Sequence, residues 1–349
     1  MSSICVSVDA TLRGLLGYAM SMLEAPSATA TAAPPLSQKL LQKGDDTTSN
    51  AIIAAFRTDP TFAAFAKNEM EMIVARDDED GEKLAAGIRE AVARGTLDAS
   101  PPVEPVTEID VAGKSADAVA AEIVARLGTA PADGCVLVLQ GLSGTGKGTT
   151  VAKLEALLPK CVCWSNGNVF RSLTLLAVTY CEQQGIDFSP DAITAEVLGS
   201  LVKCLTFGKV NGKFDTRIQG FGLDLLVSQV ANTTLKEPRV GKNIPTIAKM
   251  SQGEVIKFAG AAAEQMRMDG FNVLMEGRAQ TLDYVRTRHR FTLVLPDPTI
   301  IGQRRAAQRM MAAALQRLAS AELTVVGATG EAAEVRAALQ AALGEMARG

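Results

Sequence analysis

The sequence is poor in the residues that mark metal-binding, secreted and membrane-spanning proteins. It has one histidine, His289, and six scattered cysteines without a CxxC pair, so no structural metal site is expected. We interpret the cysteines as reduced core residues of an intracellular, most simply cytoplasmic, protein. No apolar run reaches the roughly 18 residues of a membrane span. The formal net charge of −3, without a Lys/Arg-rich run, argues against nucleic-acid binding.

A composition change divides the chain near residue 105. Apolar residues recur at helical spacing before the proline-rich segment 99–106, and strand and helix patterns alternate after it. We therefore expect an all-helical N-terminal domain over 1–105, of unknown role, and a second domain over 106–349. Because the first part carries no chemical motif, docking of a protein partner or oligomerisation is its default role.

The N-terminal part also contains two local patterns. A helix is predicted over 5–24, and the acidic run at 77–80 is interpreted as a solvated break between two helices. The first residues carry Asp9 and Glu24 with a single basic side chain, so an organellar targeting peptide is the less favoured interpretation.

Strand and helix patterns alternate in the second domain, which is typical of a parallel sheet covered by helices on both faces. The expected fold class is therefore a three-layer α/β fold with a parallel sheet. An Asn-Gly turn predicts a hairpin over 209–214, and a helix is predicted over 223–236. The predicted strands of the main sheet span 135–140, 161–165, 271–276, 291–295 and 323–327.

A glycine-rich turn joins the predicted strand over 135–140 to a helix that begins at Lys147. The segment reads GLSGTGKGTT over 141–150, which is the phosphate-binding P-loop pattern with Gly148 where Ser or Thr usually follows the lysine. Glycines let backbone N–H groups point at phosphate oxygens, and the helix N-terminus adds positive potential. The pattern predicts a triphosphate site formed by Gly141, Ser143, Gly144, Thr145, Gly146, Lys147, Gly148, Thr149 and Thr150.

Further motifs follow the loop along the chain. They read SNGNVFR over 165–171, VSQVAN over 227–232, PRV over 238–240 and MEGR over 275–278, and arginines follow at 304, 305 and 309. With the glycine after the lysine, they resemble the cytidylate kinase family of P-loop nucleoside-monophosphate kinases. The resemblance covers about 135–345. It implies a P-loop kinase fold, ATP and Mg²⁺ as cofactors, and transfer of the γ-phosphate of ATP to a small phosphorylated acceptor, with CMP, dCMP and UMP as first candidates.

The resemblance also implies roles on the donor side. Lys147 and the loop amides would hold the β- and γ-phosphates of the donor. Thr149 would bond the donor phosphates or the Mg²⁺ hydration shell. Glu276, at the end of a predicted buried strand, would order a metal-bound water. The alternative for Glu276 is an ion pair at the end of its strand.

Four arginines are the remaining candidate catalytic residues. Arg171 and Arg278 would grip the acceptor phosphate, because a guanidinium matches two phosphate oxygens. Arg305 and Arg309, one helical turn apart, would cover the transferring group. Each also has a plain structural interpretation, as a surface arginine of a helix for Arg171, a strand-end ion pair for Arg278, and a solvated helix face for Arg305 and Arg309.

The acceptor side departs from the family pattern. Ala279 replaces the aspartate of the Glu-Gly-Arg-Asp turn, Asn232 replaces a serine, and Gly241 and Leu223 stand at arginine positions. An arginine-rich lid segment after the helix of Arg309 is also absent. Three explanations fit: a different acceptor, groups supplied by residues 1–105 or another subunit, or a non-catalytic structural or regulatory kinase-like subunit of a larger intracellular assembly, which binds nucleotide or nothing.

Overall fold

The computed structural model describes residues 34–321 and 330–348. The predicted helix over 5–24 and the predicted strand over 323–327 lie outside these residues. The strands are β1 (Thr107–Asp110), β2 (Val136–Gly141), β3 (Cys161–Trp164), β4 (Leu205–Val210), β5 (Lys213–Gly220), β6 (Leu223–Leu226), β7 (Asn272–Gly277) and β8 (His289–Val294).

Helices fill most of the rest of the described chain, together with two 3₁₀ turns at Pro190–Ala192 and Thr234–Lys236. The helices are α1 (Gln38–Lys43), α2 (Asp46–Phe56), α3 (Pro60–Ala93), α4 (Ala116–Leu127), α5 (Ala130–Asp133), α6 (Lys147–Leu157), α7 (Asn166–Gln184), α8 (Ala195–Lys203), α9 (Val227–Val230), α10 (Pro238–Gly241), α11 (Ile244–Met250), α12 (Gln252–Met268), α13 (Ala279–Leu282), α14 (Thr299–Ala321) and α15 (Glu331–Met346).

Within residues 34–321 and 330–348, the main sheet has five parallel strands in the order β1-β8-β2-β7-β3. Strand β2 lies at its centre and is buried along nearly its whole length, as expected for a continuous apolar run in a parallel sheet. Leu137 and Leu139 pack on one face with α4 and α6. Val136 and Val138 pack on the other with α12. The α/β class and the parallel sheet are confirmed.

Two expectations for the strands were wrong. The helix predicted over 223–236 is instead strand β6, which pairs with β5, followed by short helical turns. Strand β1 was not predicted, because Ile109 is the only buried residue among its four. The predicted hairpin is confirmed as β4 and β5, with positive φ at Asn211 and Gly212.

Helix α3 is continuous over 34 residues, about 50 Å, so the acidic run at 77–80 is not a break. Its start is defined by Pro60 in the first turn and by Asp59, whose carboxylate accepts hydrogen bonds from the backbone N–H groups of Thr61 and Phe62. The solvated-break interpretation also fails because Asp77 is buried.

The N-terminal helices share a hydrophobic core with the end of the chain. Ile52 and Phe56 of α2 and Phe62 of α3 belong to one buried cluster with Met310 of α14 and Leu339 of α15. The helices before residue 105 therefore pack against helices at the other end of the chain.

Two close contacts seat α3 on the rest of the protein. A Cβ on Gly302 of α14 would lie 2.0 Å from the backbone oxygen of Ala66. Towards the other end of α3, a Cβ on Gly87 would lie 2.7 Å from the Gln252 side chain. Both approaches require glycine, so α3 packs closely against α14 near its start and against α12 near its end. None of the helices within the described ranges is long and apolar enough to span a membrane.

Candidate functional site

The glycine-rich loop over 141–146 connects the end of β2 to the start of α6. Gly141 and Gly144 both have positive φ, at 145° and 83°. A Cβ at these positions would lie 2.9 Å from the Leu293 backbone oxygen and 2.6 Å from Cγ2 of Ile301, respectively. The loop is therefore wedged between the end of β8 and the start of α14, and only glycine fits at these two positions.

Lys147 folds back over this loop. Its ammonium donates hydrogen bonds to the backbone oxygens of Gly141 at 2.6 Å and Leu142 at 3.0 Å. Burial lowers the pKa of Lys147, although Glu276 and Asp77 oppose that effect. An ammonium has three donors. These two contacts therefore leave one donor for a ligand at the start of α6.

A cavity of about 470 Å³, hereafter the loop cavity, opens beside the loop. Part of its lining comes from Ser143, Gly144, Gly146, Gly148 and Thr149. Among the described residues, its charged lining comprises four cations and two carboxylates, namely Arg76, Lys147, Arg304, Arg305, Asp46 and Glu276. The excess of cations suits a ligand of high negative charge.

A carboxylate from α3 binds the loop from outside this cavity. Asp77 accepts hydrogen bonds from Ser143, from the backbone N–H at 2.8 Å and from Oγ at 2.7 Å. It also accepts one from Nη2 of Arg278 at 2.9 Å. Burial alone would raise the pKa of Asp77, but the bonds from Arg278 and Ser143 outweigh it and lower the pKa to about 2. Asp77 is therefore ionised and ties Arg278 to the loop.

A second buried carboxylate of α3 binds two arginines of α14. Glu69 pairs with Arg309, and its other oxygen lies 3.9 Å from Nε of Arg305. The guanidinium of Arg309 also lies over the ring of Phe65, 5.2 Å from its centroid. Arg305 still lines the loop cavity, whereas Arg309 is not among the cavity-lining residues.

The structure brings most of the predicted donor-side residues together. Lys147, Thr149, Glu276 and Arg305 share the loop cavity, and Arg278 reaches the loop through Asp77. The hydroxyls of the loop make local contacts. Thr149 donates to the Gly146 oxygen, Thr145 donates to the Leu142 oxygen, and Thr150 is buried.

Arg171 is not brought to the loop cavity. Its guanidinium packs over Gly167, in the first turn of α7, and Arg171 is not among the residues that line the cavity. Two further positions of the predicted acceptor side make surface contacts: Asn232 accepts a hydrogen bond from Lys236, and Arg239 pairs with Glu182.

A separate cavity of about 410 Å³ lies between β3 and the antiparallel sheet formed by β4, β5 and β6. Ser165 and Asn168, from the predicted acceptor turn, contribute to its lining. Aromatic rings supply much of the rest, including Trp164, Phe207 and Phe214, the last two of which stack with their centroids 5.5 Å apart. The predicted acceptor turn therefore faces an aromatic cavity.

Sequence reasoning missed Glu69, Arg76 and Asp77. A signal for two of them was present, because Phe62, Phe65, Glu69, Ile73 and Asp77 follow one another at helical spacing and are all buried. Two acids within an apolar stripe require cationic partners. Arg76, on an exposed part of α3, gave no comparable signal.

No protein-family model matches the chain, and no curated protein matches it. The site must therefore be interpreted from its own geometry and chemistry.

Proposed function

We propose that the protein is an ATP- and Mg²⁺-dependent phosphotransferase that resembles cytidylate kinase and acts on a nucleoside monophosphate. One observation carries the proposal. A glycine-rich loop joins a buried central strand to a helix that starts with Lys147, and it borders a cavity with four cations. Strand-to-helix turns of this kind bind phosphates through backbone N–H groups and the helix dipole.

The donor phosphates would bind in the loop cavity. Lys147 would bond the β- and γ-phosphates through its remaining donor, and Arg304 and Arg305 would balance their charge. Phosphoryl transfer depends mainly on positioning and on neutralising charge, so cations on several sides of one cavity suit it.

The same cavity offers oxygen ligands that fit magnesium. The Thr149 hydroxyl and the Glu276 carboxylate both line it. Mg²⁺ prefers oxygen ligands and retains several waters, so Glu276 would hold it through water. When bound, the ion would supply neutralisation of the charge on the phosphate oxygens.

CMP, dCMP and UMP are the first acceptors to test, with Arg278 as the cation nearest the loop. The activity would be intracellular, and most simply cytoplasmic, since its donor is an intracellular nucleotide.

A second candidate function is favoured by the acceptor side. Arg171 does not line the loop cavity, and Arg278 and Arg309 are already paired with carboxylates of α3. A kinase-like subunit that binds ATP without transferring phosphate, within a larger intracellular assembly, would have these features. A protein partner of residues 1–105 would then contact the outer face of α1–α3, because their apolar face is covered by α14 and α15.

Two measurements test these functions. Binding of ATP in the presence of Mg²⁺ is measured by calorimetry, and ADP release is followed with CMP, dCMP and UMP as acceptors. The phosphotransferase proposal expects tight ATP binding and acceptor-stimulated release of ADP. ATP binding without stimulation by any of the three acceptors would favour the non-catalytic candidate.

Lys147→Ala should weaken ATP binding by about tenfold to a hundredfold, because a charge-assisted hydrogen bond is lost. Lys153→Ala is the matched control, since Lys153 lies on the same helix and pairs at the surface with Asp117. Equal ATP affinity for the Lys147→Ala variant and the wild type would exclude the loop from nucleotide binding.

A further inference from the structure

Two consecutive residues of α3 act on different sides of the glycine-rich loop. Successive side chains of an α-helix diverge by about 100° around its axis. Arg76 accordingly lines the loop cavity, whereas Asp77 binds Ser143 and Arg278 from outside it. The Nη2 atom of Arg76 lies 3.6 Å from Oδ1 of Asp77, so the two charges support each other.

Helix α3 forms a wall of the loop cavity and does not fill it. The cavity keeps a volume of about 470 Å³ with α3 in place, and Asp77 is not among its lining residues. The exposed part of Arg76, at 57% of its side chain, is available to a ligand in this space.

We propose that α3 belongs to the nucleotide site. Arg76 binds the terminal phosphate of the donor, and Asp77 is a positioning residue that holds Arg278 beside the loop for the acceptor phosphate. The proposal rests on the proposed phosphotransferase function. It assigns to α3 one cation for the donor phosphate, Arg76, and one carboxylate for the acceptor side, Asp77. In particular, Asp77 of α3 pairs with Arg278, and the residue after Arg278 is Ala279 instead of the aspartate of the family pattern.

Arg76 contributes one of the four positive charges that line the loop cavity. With Arg76 the lining has four cations against two carboxylates, and without it three against two. Because a guanidinium can donate two parallel hydrogen bonds to one phosphate, Arg76 adds geometry as well as charge. Arg76 already lines the cavity with α3 packed against its neighbours. Arg76 therefore needs no closing movement to reach the cavity.

The test compares ATP and ADP binding in the full-length protein. Arg76→Ala should weaken ATP binding by about tenfold and ADP binding by much less, because only ATP carries the terminal phosphate. Arg76→Lys should restore part of the loss, since the charge is kept and the bidentate geometry is not. Arg89→Ala is the matched control, as Arg89 is an exposed arginine of the same helix.

Asp77 is tested through turnover with CMP. Asp77→Asn should raise KM for CMP while leaving KM for ATP nearly unchanged, and Asp77→Glu should recover part of the loss. Glu79→Gln, at an exposed position of the same helix, should behave as the wild type. A change in KM for CMP alone indicates that Arg278 has lost its position, whereas a general loss of structure would change KM for both CMP and ATP.

The outcomes distinguish this proposal from the function on which it rests. Absence of ATP binding in the wild type would overturn both. Normal ATP binding by the wild type and by Arg76→Ala alike would overturn the role of Arg76 alone. A gain of turnover or of ATP affinity in Asp77→Asn would show that α3 restrains the site, and would overturn the positioning role.

Discussion

The hydrogen bonds of Asp77 make a quantitative prediction for stability. Asp77→Asn, whose neutral amide mimics a protonated carboxyl, should lower the free energy of unfolding by roughly 2 to 3 kcal/mol at neutral pH. This figure follows from the pKa of Asp77, which is about 2 in the folded protein against 3.8 for an ordinary aspartate, at about 1.4 kcal/mol per pKa unit.

The sign of the pH dependence follows from the direction of this shift. Because the folded protein has the lower pKa, the ionised carboxylate favours the folded state. Its contribution is complete well above pH 3.8 and is lost as the pH falls through about 2. The difference between wild type and variant should therefore shrink to about half at pH 3 and to a small remainder at pH 2.

Urea unfolding followed by tryptophan fluorescence measures this difference. The sequence has a single tryptophan, Trp164, whose ring lies 5.5 Å from that of Phe207 and 6.3 Å from that of Phe258, between centroids. Asp78→Asn is the control, because Asp78 is exposed, and it should unfold at the same urea concentration as the wild type at pH 7. A loss for Asp77→Asn that is as large at pH 2 as at pH 7, or no loss at pH 7, would refute the bonding that we describe for Asp77.

Two further predictions concern packing and thiols. Gly302→Ala should lower the urea midpoint strongly, because its Cβ would lie 2.0 Å from the Ala66 oxygen. Gly260→Ala, whose Cβ would have no atom within 4 Å, should leave the midpoint unchanged or raise it. Equal midpoints for the two variants would contradict the close approach of α3 and α14. Burial raises the pKa of Cys135 to about 11 and that of Cys161 to about 12. These thiols, Cys135 buried and Cys161 half-buried, should therefore react slowly with a thiol reagent at pH 8 until the protein is unfolded. Peptide mapping by mass spectrometry measures the labelling, and rapid labelling of either in the native protein would contradict its raised pKa.

The features that the sequence predicted are those encoded locally. Strand β2 is a continuous apolar run, and the loop over 141–146 needs glycine for its own backbone and for contact with its neighbours. Both could be recognised without knowledge of distant residues. The Asn211–Gly212 turn is local in the same sense, since its backbone conformation depends on these two residues.

The contribution of α3 to the site could not be predicted in this way. An acidic run is usually solvated, and only the distant Arg278 and Ser143 make Asp77 a buried residue. Glu69 likewise depends on Arg309, which is separated from it by 240 positions. Pairings of this kind leave no local pattern beyond two acids in an apolar stripe.

The spacing of these ion pairs also bears on the order in which the protein folds. Asp77 precedes Ser143 by 66 positions and Arg278 by 201. During synthesis α3 emerges first, with the carboxylates of Glu69 and Asp77 in water, and their arginine partners emerge last. Contacts of such long range carry a large loop-closure entropy and slow folding. The loop can adopt its local shape early, but its surrounding charges assemble only after α14 has left the ribosome. A chain stopped before α14 would leave the apolar face of α3 exposed and prone to aggregation.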